Sequence, residues 1–158
     1  MHVEASRWLR KFSWRPSGAA WIVKSPKLYL ADTGLLCALL NIRSEDALRQ
    51  SPAAGAVWET FVFAQLRHRE TRAGRAGSLF FWRDRTREVD FVAEAGGRVE
   101  LFEAKWSELP SAAEAVNLEF VRNVMGKSRV TGGAVVCRAR NSFPLTNSFR
   151  ALPVEEIV

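Results

Sequence analysis

The stretch "REVDFVAEAGGRVELFEAKW", residues 87–106, sets two apolar runs on either side of Ala95-Gly96-Gly97. Gly-Gly supplies the positive φ angles that a two-residue hairpin turn requires, so the stretch reads as two antiparallel strands. That turn fixes the register: residues whose numbers sum to 193 lie opposite each other, Asp90 against Glu103 and Glu88 against Lys105. Side chains alternate along a strand, so Glu88, Asp90 and Val92 are expected to share a face with Leu101, Glu103 and Lys105. Opposed Cβ atoms lie about 4.5–5.5 Å apart, where like charges are unfavourable. Two arrangements relieve this: solvated pairs with Lys105, Arg87 or Arg98 on a wet face, or a cation between the acids. A hard divalent ion, Mg²⁺ or Mn²⁺, takes carboxylate oxygens, with Asp90 and Glu103 as its ligands. Lys105 can then orient a water or steady charge on a phosphate, which is the chemistry of metal-assisted phosphodiester hydrolysis.

Upstream, "AAGAVWETFVFAQLRHRE" (53–70) predicts a helix. Val62, Phe63 and Leu66 form one stripe, and Val57, Phe61 and Ala64 a second on the opposite side, as in a helix held between two layers. Glu59 sits within the first stripe. A carboxylate there needs a partner: an ordinary salt bridge, or a place as a third metal ligand. His68 falls on the second stripe and is expected to be structural. "SLFFWRD" (78–84), "REVDFVAE" (87–94) and "RVELFEAKW" (98–106) predict strands, "SAAEAVNLEFVRNVMG" (111–126) a helix, and "GGAVVCRA" (132–139) a buried strand. A strand, a helix and a further buried strand make a crossover joining parallel strands. The expected fold class is α/β: a central mixed four-stranded sheet in the order helix-strand-strand-strand-helix-strand, flanked by helices. Asp32 or Thr33 is expected to cap a helix over 34–40, and Ser44 another short one. Residues 1–20 show no clean period and read as an irregular arm before a domain over 21–158.

The 158 residues are 47% hydrophobic and carry 23 Lys and Arg against 17 Asp and Glu, a net charge of +6 that favours a polyanionic partner such as DNA. Two loops concentrate the charge: Arg67, Arg69, Arg72 and Arg75 after the long helix, and Arg83, Arg85 and Arg87 between two strands. Both are candidates for phosphate contacts; the alternative is a solvated surface. Trp8, Trp14 and Trp21, with Arg7, Arg10, Lys11 and Arg15, suit stacking on bases or packing on a partner domain. Cys37 and Cys137 lie far apart in apolar runs without zinc spacing and read as free thiols in a reducing compartment. No apolar run reaches the roughly 18 residues of a membrane span, and the N-terminus lacks a signal-peptide core. The expectation is a cytoplasmic protein with no membrane partner.

"EVDF", 12 further residues and then "EAK" resembles the D…(D/E)xK motif of the PD-(D/E)xK nuclease superfamily. "VKSPKLYLADTGLLCALL", "GAVWETFVFAQL", "LFFWRDRTREVDFV" and "ELFEAKWS" more particularly resemble the domain of unknown function C-terminal to the ATPase module of many prokaryotic AAA-type ATPases, over roughly residues 21–107. The resemblance implies a restriction-endonuclease-like core. Asp90, Glu103 and Lys105 stand in the positions of the catalytic acids and lysine, and Glu59 as a further acidic ligand for Mg²⁺ or Mn²⁺. It also implies an ATPase module or a second copy of the chain as partner. No GxxxxGK[ST] loop is present, so ATP is not expected to bind in the P-loop manner; the first 20 residues would suit a severed junction. A nuclease-like module that binds nucleic acid or docks to an ATPase without cutting is the alternative reading.

Overall fold

The computed structural model describes the backbone of residues 6–11 and the full residues 26–157. Its elements in chain order are β1 (Ser6–Lys11), β2 (Lys27–Leu30), α1 (Thr33–Leu39), α2 (Glu45–Gln50), α3 (Ala54–Arg72), β3 (Leu79–Arg83), β4 (Glu88–Ala95) and β5 (Arg98–Ala104). A 3₁₀ turn (Ala112–Ala115) then leads into α4 (Val116–Met125), β6 (Val130–Cys137), β7 (Phe143–Pro144), β8 (Arg150–Pro153) and a closing 3₁₀ turn (Val154–Ile157). The short helices start where their caps place them. Asp32 Oδ1 accepts the Leu35 N–H at 2.9 Å, and Ser44 Oγ accepts that of Ala47 at 3.1 Å.

The fold is mixed α/β, and the expected four strands β3-β4-β5-β6 form its centre. The sheet is larger than expected. β8 and β7 extend it beyond β6 to a six-stranded stretch, and β1 and β2 join at the β3 edge, giving the order β2-β1-β3-β4-β5-β6-β8-β7. The added strands near both edges are short, two to six residues, and hold their places by backbone pairing rather than by a sequence period. Residues 6–11, expected to be irregular, pair with both β2 and β3; the rest of the 1–20 segment, with Trp14, and Trp21 lie outside the described residues, as do the side chains of Trp8 and its basic neighbours.

The predicted hairpin is present. Gly96 and Gly97 take φ of 58° and 80°, and Phe91↔Phe102 through Ala95↔Arg98 all keep the expected register. The expected crossover is present too: α4 connects β5 to a parallel β6. Gly133 permits this pairing, because a Cβ there would lie 1.9 Å from Leu101 O.

Each face of the sheet carries its own core. On one, Trp58, Val62, Phe63 and Leu66 of α3 pack on Phe91, Phe102 and Val136. On the other, Leu118 and Val121 of α4 pack on Val89, Val92, Leu101 and Val135. Burying a side chain such as Leu66 or Leu118 contributes about 1.5–3 kcal/mol. The second stripe of α3 meets α1 and α2: Val57, Trp58 and Phe61 line a small apolar hollow with Cys37, Leu48 and Trp106. His68, expected on that stripe, is exposed. Cys37 and Cys137 are both free thiols. Among the described residues no helix is long and apolar enough to cross a membrane.

Candidate functional site

The site lies where the β4–β5 ladder gives out. Pairing runs from Ala95↔Arg98 as far as Phe91↔Phe102. One residue further on, the Ala104 N–H donates to Asp90 Oδ2 at 3.0 Å, a side chain completing what the backbone has left. β5 then turns to its other neighbour: Lys105 N–H donates to Val136 O at 2.9 Å. Glu88 consequently never faces Lys105, contrary to the simple register; it pairs with Arg83 on β3.

A bulge changes which way Asp90 points. Phe80 pairs with Val92 but Trp82 with Val89, so β4 carries one extra residue at Asp90-Phe91. Val89 and Val92 therefore lie on the α4 face together, and Phe91 and Ala93 lie on the α3 face. Asp90 is thereby turned toward α3, where it meets groups near Glu59. This corrects the expectation that Glu88 and Asp90 share the face of Leu101; Val92 does share it. Glu103 falls between Phe102 and Ala104, both on the α3 face, so alternation directs it to the opposite side. Asp90 and Glu103 thus approach the sheet end from two sides, and the Asp90 charge still acts on Glu103.

Lys27, which the sequence reading did not single out, occupies the centre of the α3 side. Its Nζ lies 2.8 Å from Glu59 Oε1, 2.5 Å from Glu88 Oε1 and 3.0 Å from Asp90 Oδ1. Tyr29 OH donates to Glu59 Oε1 at 2.6 Å, and its ring stacks on Phe63 at 4.3 Å. The available signal was alternation: Lys27 and Tyr29 share one face of a four-residue strand. Burial works against the Lys27 charge, but Asp90 and Glu59 outweigh it and raise the ammonium's pKa. Burial, then Glu59, raises that of the Tyr29 phenol. Burial also works on Glu88, but Arg83 and Lys27 hold its carboxyl below the ordinary value.

On the other side, Lys105 Nζ donates to Glu103 Oε1 at 2.8 Å, while Glu103 Oε2 is buried without a hydrogen-bond partner. Burial, then the Asp90 charge, pushes the Glu103 carboxyl up to about 7. Burial, then Glu59, pushes Asp90 up as well. Lys105 is raised, because Glu103 more than offsets the effect of burial.

These observations test the fit of a divalent ion. Asp90 and Glu103 are hard oxygen donors of the kind Mg²⁺ takes, and Glu103 Oε2 is buried without a hydrogen-bond partner, whereas Asp90 Oδ1 and Oδ2 already accept from Lys27 and Ala104. Glu59 stands apart from that pair, because the Lys27 ammonium lies between it and Asp90. Among the described residues no three His, Cys, Asp or Glu side chains are gathered to hold a metal.

The two arginine loops lie at opposite ends of the sheet. Arg83 pairs with Glu88 beside the site, Arg87 lies 3.7 Å from the Phe120 ring, and Arg85 is exposed in the turn between them. Arg69 and Arg75 instead clamp the buried Glu70 at 2.8 and 2.7 Å. At a rise of 1.5 Å per residue, Arg69 and Arg72 lie about 15–20 Å along α3 from Glu59. Arg67 leaves α3 in the same segment, and Arg72 is exposed at its end.

No solved structure matches the chain significantly. Over 136 residues it is 33% identical to an uncharacterized protein of Mycobacterium bovis and, equally, to one of Mycobacterium tuberculosis. The match covers 85% of this chain but 29% of each relative, so the chain spans less than a third of the length of the curated relatives it matches. The model of the domain of unknown function DUF4143 matches residues 54–157, from α3 to the closing 3₁₀ turn, and the chain belongs to that family.

Proposed function

We propose that this domain is a nuclease-like module of the PD-(D/E)xK type, with a restriction-endonuclease-like core, that hydrolyses phosphodiesters of DNA with Mg²⁺ or Mn²⁺. The observation that carries the reading is the convergence of Asp90, Glu103 and Lys105 at one sheet end, with Glu103 Oε2 buried and unsatisfied. The order α3, β3-β4-β5, α4, β6 is consistent with such a core. A bound divalent ion would supply acidity to a water and offset charge on the leaving oxygen. Asp90 and Glu103 would hold it. Lys105, oriented by Glu103, would steady the phosphate charge. Lys27 keeps Asp90, Glu88 and Glu59 compensated from the α3 side.

A second reading rests on Lys27 itself. Its ammonium already stands among three carboxylates, as a metal would, and suits a module that binds nucleic acid or docks to an ATPase without cutting. Incubation with supercoiled plasmid and single-stranded DNA, in Mg²⁺, Mn²⁺ or chelator, separates the two. Cleavage that requires metal and is lost in both Asp90→Asn and Lys105→Ala supports the enzyme. No cleavage under any condition, from protein that still binds DNA, supports the second reading.

A further inference from the structure

β5 and β6 run parallel, and their ends open on a cleft of about 600 Å³ lined by Arg49, Glu108, Arg138, Arg140, Asn141 and Ser142. It is joined through the backbone to the strand end that carries Lys105. Arg138 N–H donates to Ser107 O at 2.8 Å, two residues past Lys105, and Lys105 N–H donates to Val136 O, two residues before Arg138.

Its charge is strongly positive, with three guanidiniums against one carboxylate. Glu108 binds Arg138 at 2.9 Å and Arg49 at 3.7 Å, but the Glu108 side chain is 63% exposed. The Arg49 pair, exposed on both sides, contributes about 0–1 kcal/mol, whereas Arg138 is itself largely buried and held more firmly. Arg138 Cζ lies 4.0 Å from the centre of the Trp106 ring, a cation–π contact that helps to position its guanidinium. Arg140 is exposed and has no ion pair among the described residues. Asn141 and the Ser142 hydroxyl add neutral donors of the sort that bind phosphate oxygens. The arginines at the far end of α3 are placed differently, with Arg69 and Arg75 committed to a buried Glu70.

We propose that this cleft is the track for the sugar-phosphate backbone of a nucleic-acid strand whose scissile region lies at Lys105, with Arg138 and Arg140 as phosphate ligands and Arg49 at its mouth. The proposal rests on the nuclease-like reading for its occupant, and its test does not depend on cleavage. Binding of fluorescein-labelled single- and double-stranded oligonucleotides to the full chain is followed by anisotropy in chelator over a salt series. In Arg138→Ala/Arg140→Ala the affinity is expected to fall about tenfold or more, and the slope of log affinity against log salt to flatten by about 2. Arg140→Ala alone, at an exposed position that cannot disturb packing, is expected to flatten it by about 1. Arg72→Ala, at the far end, is expected to leave both unchanged. Unchanged binding in the double variant, or a slope that responds to Arg72→Ala instead, overturns the assignment. So does displacement of the oligonucleotide by polyglutamate of equal charge, which would make the occupant an acidic protein. Binding that depends on Arg138 and Arg140 in a chain that never cleaves DNA would leave the cleft standing and remove only the hydrolytic reading.

Discussion

The Ala104 N–H donates to Asp90 Oδ2 at 3.0 Å, one step beyond the last paired residues of the central hairpin. Asp90 therefore holds β5 in place as well as carrying charge. Asp90→Ala leaves a buried N–H without a partner, at a cost of about 1–3 kcal/mol. Asp90→Asn keeps an acceptor for it and removes only the charge. Urea unfolding should show a clear loss of stability for the alanine variant and a smaller change for the asparagine variant. Equal losses in both would show that the charge, not the hydrogen bond, sustains the site.

Lys27→Met removes a cation that touches Glu59, Glu88 and Asp90 together. Three part-buried carboxylates are then left crowded, and a loss of about 2–4 kcal/mol at neutral pH is expected. The loss should shrink as pH falls and the carboxylates take up protons. Added Mg²⁺ should restore part of it, because the ion can take the ammonium's place. Thermal melts with and without Mg²⁺ across pH check both trends; a loss independent of pH would show that Lys27 acts through packing.

Glu103 governs a separate pH window. Burial and the Asp90 charge move its carboxyl from 4.5 to about 7, against the opposing effect of Lys105. Between those values the folded state holds a proton that the unfolded chain has released. Stability therefore falls as pH rises through the window and levels off above it. Glu103→Gln removes this penalty, so the variant should be the more stable protein above pH 7, by on the order of 1–3 kcal/mol. Denaturant midpoints of the two proteins across pH give the comparison, and parallel curves would contradict the burial of this charge.

Glu70 behaves in the opposite sense. Burial alone would raise its carboxyl, but hydrogen bonds from Arg75, Ser78 and Arg69 hold it below the ordinary value. Its contribution is present at neutral pH and is lost in acid, as pH falls toward the folded value. Glu70→Gln should cost about 1–3 kcal/mol at pH 7, measured by urea unfolding, and should leave DNA cleavage or binding at the other end of α3 unchanged. A change in binding comparable to that in Arg140→Ala would place the functional surface at the Glu70 end.

The sequence by itself determined whatever depends on neighbouring residues. The α3 period, the caps at Asp32 and Ser44, and the Gly96-Gly97 turn act over a few residues, and the turn carries the hairpin register with it. The α4 crossover and the parallel β5–β6 pair were legible for a related reason, since a strand, a helix and a buried strand in that order leave few ways to connect. Spacing accordingly brought Asp90 and the Glu103–Lys105 end of β5 to one end of the hairpin, but not to one face. Tertiary structure decided the rest. The extra residue at Asp90-Phe91 is defined by pairing to β3, across a separate connection, and it alone turns Asp90 toward α3. Lys27 reaches Asp90 from 63 residues away, on a strand too short to show a period. Arg69 and Arg75 looked free for phosphate in the sequence because the burial of Glu70, which draws them in, exists only once the end of α3 has packed. Local preferences act along the chain, whereas the partner of a buried charge is chosen by the whole fold.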